Sequence, residues 1–499
     1  MNSNLFALIE SRCRPEATFL ETPAGARWTY ADLLATTARY ANALAGAGVA
    51  PGDRVAAQVE KSPEAYCVYL ATLRMGAIYV PLNTAYTPAE LEYFLGDCAP
   101  AALLCDPADA PRRSALAAAA GVRACLTLDA AGRGTFATAA EAAPVEFETV
   151  ARAPDDIAAI LYTSGTTGRQ KGAMITHGNL ASNGEAIARL WGFGPGDVLL
   201  HALPIYHTHG LFISAHCSLL SGSAMLFTSR FATDEVLDLL PRATVMMGVP
   251  TFYTRLLESP RLDADRCRSI RLFVSGSAPL LPDTATAFTA RTGHEILERY
   301  GMTEAIVIAS NPLRGERRPG SVGHAVEGVE LRVADASDAP VPPGAVGGIQ
   351  IRGTGVMKGY WRQPERTAQE FTADGWFRTG DLGVLAQDGY VSLVGRAKDL
   401  VITGGFNVYP KEVELAIDAL PGVTESAVFG VPHRDYGEAV TAAVVRRDPA
   451  LDDAAILAAL RERLAAYKLP KRVHFVHELP RNAMGKVLKT ALRERFTRP

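Results

Sequence analysis

The segment YTSGTTGRQKG, residues 162–172, has the composition of a phosphate-binding loop. Glycines allow backbone N–H groups to converge on an oxyanion, while hydroxyl groups and a lysine add donors and positive charge. The segment is not a Walker P-loop, GxxxxGK[ST]. Counting from Gly165 puts Gln170 where the second glycine is required and Gly172 where Ser or Thr is required. It therefore predicts a phosphate loop from another class of enzyme.

Four further motifs follow in order: RYGMTEA (299–305), GWFRTGD (375–381), GRAKDLVITGG (395–405) and LPRNAMGK (479–486). Together with the first segment they resemble the core motifs of the adenylate-forming superfamily. This superfamily includes acyl-CoA synthetases, peptide-synthetase adenylation domains and firefly luciferase. The resemblance covers nearly the whole chain. It implies an enzyme that uses ATP and Mg²⁺ to activate a carboxylate, and coenzyme A to accept the acyl group.

The resemblance assigns residues to ATP. The phosphates would be held by Thr163, Ser164, Gly165, Thr166, Thr167, Gly168 and Lys171. Asp381 matches the aspartate that accepts the ribose hydroxyls, Arg396 is the arginine beside it, and Tyr300 would stack on adenine. The base and acyl sites would also be lined by Ser275, Gly276, Ser277, Ala278, Glu298, Arg299, Gly301 and Met302.

Catalysis of adenylation needs positioning and charge neutralisation, because a weak oxygen nucleophile must reach the α-phosphorus in line while pyrophosphate leaves. The resemblance implies that Glu304 and Thr166 hold Mg²⁺ and that Thr303 contacts the α-phosphate. Lys486 would bridge the carboxylate and α-phosphate oxygens as a point charge, which a planar guanidinium would not replace well. The motif around Lys486 departs from the family at Asn482, where Thr is commoner.

Length and pattern predict two domains, because 499 residues are too many for one hydrophobic core. Short β-rich runs alternate with Ala/Leu-rich helical stretches, which predicts an α/β fold of parallel sheets flanked by helices. From Gly320 frequent turn residues predict a β-rich subdomain. A small α+β domain is expected to follow, with strands at 424–431 and 439–447 and a helix at 453–467. The predicted domains are 1–397 and 398–499.

The smaller domain carries Lys486 and is therefore expected to move. In the family it rotates after adenylate formation about a hinge at the position of Lys398. The resemblance implies that this rotation replaces the lysine with a turn whose Gly404 and Gly405 leave room for the pantetheine arm of coenzyme A. Such movement lets one site run two reactions.

Composition points to a small-molecule enzyme of the cytosol. A net charge of −3 provides no basic surface for nucleic acid or anionic lipid. Glu10 interrupts the first apolar stretch, which argues against a secretory signal, and residues 209–227 are too polar for a membrane span and predict buried core. Seven scattered cysteines fit a reducing compartment. The oligomeric state is left open.

The acyl substrate is predicted from a second resemblance. NLFALI, HALPIYHTHGLF, VPTFYTRLL and GGFNVYPKEVE all match bacterial malonyl-CoA synthetases closely. In that family an arginine, placed here at Arg255, and a nearby serine pair with the distal carboxylate of malonate, and His207 would form a polar pocket wall. The segment Ala305–Ala309 is apolar where the family is polar, which suggests that methylmalonate or other 2-substituted malonates are also accepted.

Two other functions stay open at this point. A ligase for short- or medium-chain monocarboxylates and CoA would use Arg255 only as scaffold. An adenylation enzyme that loads a carrier protein would share the first half-reaction, but no carrier segment follows Lys486. Neither the substrate nor the residues that bind the CoA 3′-phosphate can be decided from motifs that all these enzymes share.

Overall fold

The computed structural model describes residues 2–163, 170–404, 406–482 and 485–497. The helices are α1 (Leu5–Arg12), α2 (Tyr30–Gly46), α3 (Pro63–Arg74), α4 (Pro88–Cys98), α5 (Ala110–Ala119), α6 (Thr135–Glu141), α7 (His177–Leu190), α8 (Ala215–Ser221), α9 (Thr233–Leu239), α10 (Pro250–Glu258), α11 (Pro282–Thr292), α12 (Pro364–Glu370), α13 (Pro410–Asp418), α14 (Asp453–Arg461) and α15 (Lys489–Thr497).

The strands of the larger part of the chain are β1 (Thr18–Glu21), β2 (Arg27–Thr29), β3 (Arg54–Gln58), β4 (Ile78–Pro81), β5 (Ala102–Cys105), β6 (Ala124–Thr127), β7 (Ile157–Thr163), β8 (Lys171–Thr176), β9 (Val198–His201), β10 (Ala224–Phe227), β11 (Val245–Gly248), β12 (Leu272–Ser275), β13 (Ile296–Tyr300), β14 (Ala309–Ser310) and β15 (His324–Ala325). The later strands are β16 (Val329–Ala334), β17 (Val346–Gly353), β18 (Gly359–Tyr360), β19 (Phe377–Leu385), β20 (Val391–Arg396), β21 (Val401–Thr403), β22 (Phe406–Val408), β23 (Val423–His433), β24 (Gly437–Arg446) and β25 (Arg472–Phe475).

Two large sheets form the body of the molecule. One has the order β15-β14-β13-β12-β11-β9-β10-β1-β2, and its strands from β13 to β1 run parallel. The other has the order β18-β8-β7-β4-β3-β5-β6, with β7 to β6 parallel. Because parallel strands need crossover connections, helices separate most consecutive strands in these sheets. The predicted α/β fold of parallel sheets flanked by helices is confirmed.

The apolar segment 209–227 is buried, as the sequence predicted. It forms a π-helical turn (His209–Ser214), helix α8 and strand β10, and its large apolar side chains lie in the main core. Within the described ranges, every helix is too short or too polar to cross a lipid bilayer. The seven cysteines are free thiols.

The β-rich subdomain and the small α+β domain are also present. Strands β16, β17, β19 and β20 make an antiparallel sheet, and β21 to β25 make a separate sheet with its own core, packed by α13 and α14. Helix α14 ends at Arg461 rather than at the predicted Tyr467. The remaining residues form a turn that returns the chain to β25, which pairs parallel with β24. Strand pairing therefore overrides the helical pattern there.

Candidate active site

The predicted phosphate loop connects two antiparallel neighbours. Thr163 ends β7 and pairs directly with Lys171 at the start of β8, so the loop is a hairpin connection. Ser164, Gly165, Thr166, Thr167 and Gly168 lie outside the described residues. The Lys171 ammonium lies 4.1 Å from the ring centre of Tyr360 and 3.3 Å from a carboxylate oxygen of Glu370.

A strained turn after β13 presents Thr303 and Glu304. Gly301 lies against the Ile306 carbonyl so closely that an added Cβ would be 2.0 Å from its oxygen, and Ile306 has φ 59°, which is unusual for a β-branched residue. Glu304 is buried, and its Oε1 accepts a hydrogen bond from Tyr360 Oη at 3.0 Å. Burial raises the pKa of Glu304, while Tyr360 and Lys171 oppose this effect. A cation beside the carboxylate would relieve the cost of burying it.

Tyr300 and Asp381 form one polar unit. Tyr300 Oη donates to Asp381 Oδ2 at 2.5 Å, and Arg396 Nε lies 2.7 Å from Asp381 Oδ1. Burial, followed by the Asp381 carboxylate, raises the pKa of Tyr300. The phenol therefore stays protonated and continues to donate. The arrangement joins the residue expected to stack on adenine to the residue expected to bind ribose.

Lys486 lies where both domains meet. Its backbone N–H donates to Asn482 Oδ1 at 2.9 Å, and an added Cβ on Gly485 would lie 3.3 Å from Thr251 at the start of α10. The Lys486 side chain remains accessible to solvent in the cleft. Partial burial of the amine and then the positive charge of Arg396 lower the pKa of Lys486 to about 8. Asn482 thus supports the loop in place of the commoner Thr.

A buried cation lies at the carboxyl ends of β12 and β13. Arg299 is 5% exposed, and its Nε and Nη2 find no hydrogen-bond partner in the described parts of the chain. The backbone of Gly276 passes so close that an added Cβ would lie 2.4 Å from Arg299 Nε. Burial lowers the pKa of Arg299 to about 10. The guanidinium therefore remains charged at neutral pH.

Unpaired polar groups surround this guanidinium. Ser275 Oγ, His207 Nδ1 and His209 Nε2 are buried without a hydrogen-bond partner among the described residues. Burial, then Arg299 and Lys486, lower the pKa of His207 to about 4, so its imidazole is neutral at pH 7. On its other side the His209 ring meets Ser277, whose Oγ lies 3.2 Å from Nδ1. Among the described residues, Arg299 and these groups make up a positively charged polar cluster, and no acidic side chain pairs with Arg299.

The remaining predicted residues lie at several positions. Arg255, which the sequence predicts to pair with the distal carboxylate, is exposed in the last turn of α10. Glu298 is half-buried beside Ser275 on the neighbouring strand, and burial raises its pKa to about 7. Ala278 and Met302 are also half-buried, and Lys398 is exposed in a helical turn after β20. Gly404 has φ 56°, and Gly405 lies outside the described residues.

Tyr360 is a site residue that the sequence motifs did not reveal. It follows Glu304 by more than fifty positions and carries no motif by itself, yet it links Glu304 to Lys171. The preceding residue gives a weak signal. Gly359 adopts φ 139°, and a Cβ added at this position would lie 2.7 Å from Cγ2 of Thr367. A glycine held in such a conformation before an aromatic residue indicates a constrained position.

The residues present fit an ATP and magnesium site. Within the described residues, the two oxygens of Asp381 contact Tyr300 and Arg396, which leaves lone pairs for hydroxyl donors. Glu304 has a buried carboxylate with oxygen available for a hard cation. No cluster of three or more metal-ligating side chains occurs in the described part of the chain. Mg²⁺ would therefore need phosphate oxygens and water among its ligands.

Comparisons with known proteins agree with this geometry. The profile of the AMP-binding enzyme family matches residues 10–361, and that of the AMP-binding enzyme C-terminal domain matches residues 412–486. The crystal structure of ATP-bound MatB from Rhodopseudomonas palustris is 54% identical, covers 100% of this chain and 99% of its own, and superposes with a TM-score of 0.98. The apo form of MatB has the same identity and coverage but a TM-score of 0.87.

Two curated relatives differ in the acids that they are named for. Feruloyl-CoA synthase of Amycolatopsis sp. is 38% identical over 97% of both chains. Malonate–CoA ligase of Arabidopsis thaliana is 35% identical over 90% of this chain and 79% of its own. The chain belongs to the AMP-binding enzyme family, which is the adenylate-forming superfamily. It is an adenylate-forming CoA ligase, and the acid that it activates is a separate question.

Proposed function

We propose that the enzyme is a malonate–CoA ligase. Malonate and ATP give malonyl-AMP and pyrophosphate, and the CoA thiolate then displaces AMP to give malonyl-CoA. The observation that carries the proposal is Arg299, a buried guanidinium without a partner among the described residues. The Arabidopsis malonate–CoA ligase and the MatB structure support the same reading. Feruloyl-CoA synthase does not, because its named substrate is an aromatic monocarboxylate.

An unpaired buried charge is costly, and the described chain supplies no carboxylate to Arg299. A dicarboxylate solves this problem, since one carboxylate reacts and the other can pair with the guanidinium in bidentate geometry. Ser275 Oγ and the Nδ1 atom of neutral His207 are buried without a partner among the described residues and can add hydrogen bonds. A monocarboxylate would leave all of these groups unpaired. The proposal therefore transfers the distal-carboxylate role from exposed Arg255 to buried Arg299.

The other residues act on ATP. Asp381 and Tyr300 would hold the ribose and base, and Lys171 with the loop that starts at Thr163 would hold the outer phosphates. Glu304 would hold Mg²⁺, and Thr303 would contact the α-phosphate. Bound Mg²⁺ supplies charge neutralisation on the phosphates.

Lys486 and Arg299 would bind opposite ends of the acid. Lys486, at the interface, would place its ammonium between the reacting carboxylate and the α-phosphate, which are both anionic. Arg299 would hold the opposite end of the substrate. Both cations lower the pKa of His207, so the charges of Arg299 and Lys486 both reach this histidine. Two cations at opposite ends would fix a short dianion in one orientation, which is how positioning lowers the barrier.

We propose further that 2-substituted malonates are accepted. Ala305, Ile306, Val307, Ile308 and Ala309 are all buried at 3% exposure or less, directly after Glu304. An apolar wall of this kind can contact an alkyl group at the central carbon while leaving both carboxylates to the cations. A preference for malonate of about a hundredfold in kcat/KM over every alkylmalonate would contradict this part of the proposal.

The second half-reaction requires the small domain, residues 398–499, to rotate about Lys398. The ATP-bound and apo structures of MatB are both 54% identical to this chain, but their TM-scores are 0.98 and 0.87. Because the sequence identity is the same, the lower TM-score of the apo structure reflects a different conformation. The higher score with the ATP-bound form supports an adenylation arrangement for this chain, with Lys486 at the cleft. Rotation would withdraw Lys486 and bring Gly404 and Gly405 toward the adenylate to admit coenzyme A.

The test is ATP-dependent thioester formation with malonate, methylmalonate, ethylmalonate, sulfoacetate, acetate and butyrate. Malonate and its alkyl derivatives should lead. Activity with sulfoacetate, relative to malonate, shows whether the acid site accepts a sulfonate in place of the second carboxylate. A preference for butyrate or acetate would leave the ligase chemistry intact and overturn the substrate. Replacing CoA with a holo-carrier protein distinguishes the carrier-loading alternative, which predicts a faster transfer to the carrier.

A further inference from the structure

Lys61 is a buried lysine that the reaction described above does not use. It lies between β3 and α3 and is 7% exposed. Its Nζ is 2.9 Å from His201 Nδ1 and 2.8 Å from the His201 carbonyl oxygen, and lies 4.2 Å from the ring centre of Phe227. In the part of the chain that the structure describes, no carboxylate forms a salt bridge with it. Its hydrogen bonds thus converge on a single histidine.

His201 in turn forms a hydrogen bond with the backbone. Its Nε2 lies 2.9 Å from the carbonyl oxygen of Gly210, which can only accept, so Nε2 carries the proton and donates. Burial, followed by Lys61, lowers the pKa of His201, so the ring is neutral and Nδ1 is an acceptor. Lys61 therefore donates to Nδ1. The lysine selects both the tautomer and the orientation of the ring.

Gly210 belongs to the π-helical turn His209–Ser214, a rare conformation that occurs mostly at functional sites. The turn is tightly packed, because an added Cβ on Gly210 would lie 2.2 Å from the Pro204 carbonyl oxygen. Its first residue, His209, meets Ser277 with 3.2 Å between Nδ1 and Oγ. Ser277 has φ 73°, a left-handed conformation that its surroundings must maintain.

We propose that Lys61 is a positioning residue for the acyl site. It fixes His201, His201 fixes the π-helical turn, and the turn holds His209 against Ser277. The chain of contacts runs from the sheet that contains β3 to the sheet that contains β9 and β12. It thereby positions His209, whose charge environment includes Arg299, through contacts that begin outside the polar cluster. This inference rests on the proposed function, which places the acid beside Arg299 and His207.

The test is Lys61→Met, which keeps the length of the side chain and removes the donors. Pyrophosphate exchange, normalised to active-site concentration, should show KM for malonate raised about tenfold, roughly the effect of one misplaced hydrogen-bonded group. KM for ATP should stay within about twofold. Lys61→Gln restores one amide donor and should recover part of the effect. Arg113→Met is the matched control, because Arg113 is another cation at 7% exposure, in α5, outside this chain of contacts.

A purely structural role for Lys61 predicts a lower Tm with both KM values unchanged, and this outcome would overturn the proposal. Imidazole ¹⁵N NMR of the wild-type enzyme supplies a test that needs no variant, because His201 must be the neutral Nε2–H tautomer. The opposite tautomer would also overturn it. If butyrate rather than malonate is the substrate but its KM still rises in Lys61→Met, the proposed function fails and the role of Lys61 stands.

Discussion

The phenol of Tyr300 donates to the carboxylate of Asp381 at 2.5 Å, joining the end of β13 to the middle of β19. The two residues are separated by 81 positions in the chain and belong to different sheets. One is expected to contact adenine and the other ribose, so this hydrogen bond connects two parts of the nucleotide site. Arg396 holds the same carboxylate from the other side.

Tyr300→Phe should weaken nucleotide binding while sparing the chemical step. The ring that stacks on adenine remains, and Asp381 loses one hydrogen bond worth roughly 1 kcal/mol. KM for ATP should therefore rise about fivefold, with kcat for adenylation nearly unchanged. Isothermal titration with ATP and steady-state pyrophosphate exchange both measure this effect. A loss of kcat of about tenfold at saturating ATP would show that Tyr300 acts in the reaction itself.

Gly276→Ala should disable the acid site. The added methyl group would collide with the buried Arg299 side chain, since a Cβ at this position would lie 2.4 Å from Nε. The displaced guanidinium should lower kcat/KM for malonate by at least about tenfold, because well-packed interiors cannot absorb an extra methyl group without strain. Gly46→Ala in α2 is the control, because nothing lies within 4 Å of its Cβ. Normal malonate kinetics in Gly276→Ala would argue against Arg299.

Tyr360→Phe should raise the Mg²⁺ concentration needed for adenylation. Glu304 would lose its 3.0 Å hydrogen bond from Tyr360 Oη, whereas the ring beneath Lys171 would remain. A few-fold increase in the Mg²⁺ activation constant is expected, since partners that orient a metal ligand tune its affinity. Tyr390→Phe removes a comparable hydrogen bond, to the Glu316 carbonyl, and should leave Mg²⁺ dependence unchanged. Equal responses in the two variants would contradict the role of Tyr360.

Lys486 should give adenylation an alkaline limit. The pKa of its amine is lowered to about 8, so in the free enzyme the ammonium is present below pH 8 and is lost above it. Because the charged form is the one that neutralises the α-phosphate, kcat/KM for pyrophosphate exchange should fall above about pH 8. Bound ATP is anionic and favours the ammonium, so kcat should fall only at higher pH. A rate that rises between about pH 8 and 9 would contradict this assignment.

Lys486→Ala separates the two half-reactions. Formation of malonyl-AMP should be lost, because Lys486 is the cation proposed to neutralise the α-phosphate in this arrangement. Transfer from chemically prepared malonyl-AMP to CoA should continue, because the rotated domain withdraws Lys486 from the site. Equal loss of both half-reactions would mean that the lysine is needed for folding or for domain closure.

The fold could be predicted from the sequence because its signals are local and repeated. Alternating apolar strands and helices fix the α/β body, and the turn-rich texture after Gly320 marks the antiparallel sheet that β16 opens. Helix α14 is shorter than its sequence predicts, because the helical pattern continues past Arg461 where pairing of β25 with β24 turns the chain back. Pairing between strands that are distant in the chain cannot be predicted from the pattern of one segment.

The residues of the candidate site could be predicted from the sequence only where they belong to contiguous motifs. Asp381, Glu304 and Lys486 each stand in a recognisable run of residues, whereas Tyr360 is identified only by its contacts with Glu304 and Lys171, which are distant in the chain. Burial of charge was the least predictable feature. Arg255 and Arg299 both lie near expected acyl-site motifs, but Arg255 is exposed in α10, whereas Arg299 is buried in β13 against Gly276.

The most direct test of the proposed function compares Arg299→Met with Arg255→Ala, using malonate and butyrate as the acids. We expect Arg299→Met to lower kcat/KM for malonate on the order of a hundredfold or more, the loss typical of breaking a buried charge pair. Butyrate activity should be unchanged or higher, and Arg255→Ala should retain the preference for malonate. If Arg299→Met keeps that preference, or if Arg255→Ala abolishes it, the distal carboxylate is not held by Arg299 and the central claim is contradicted.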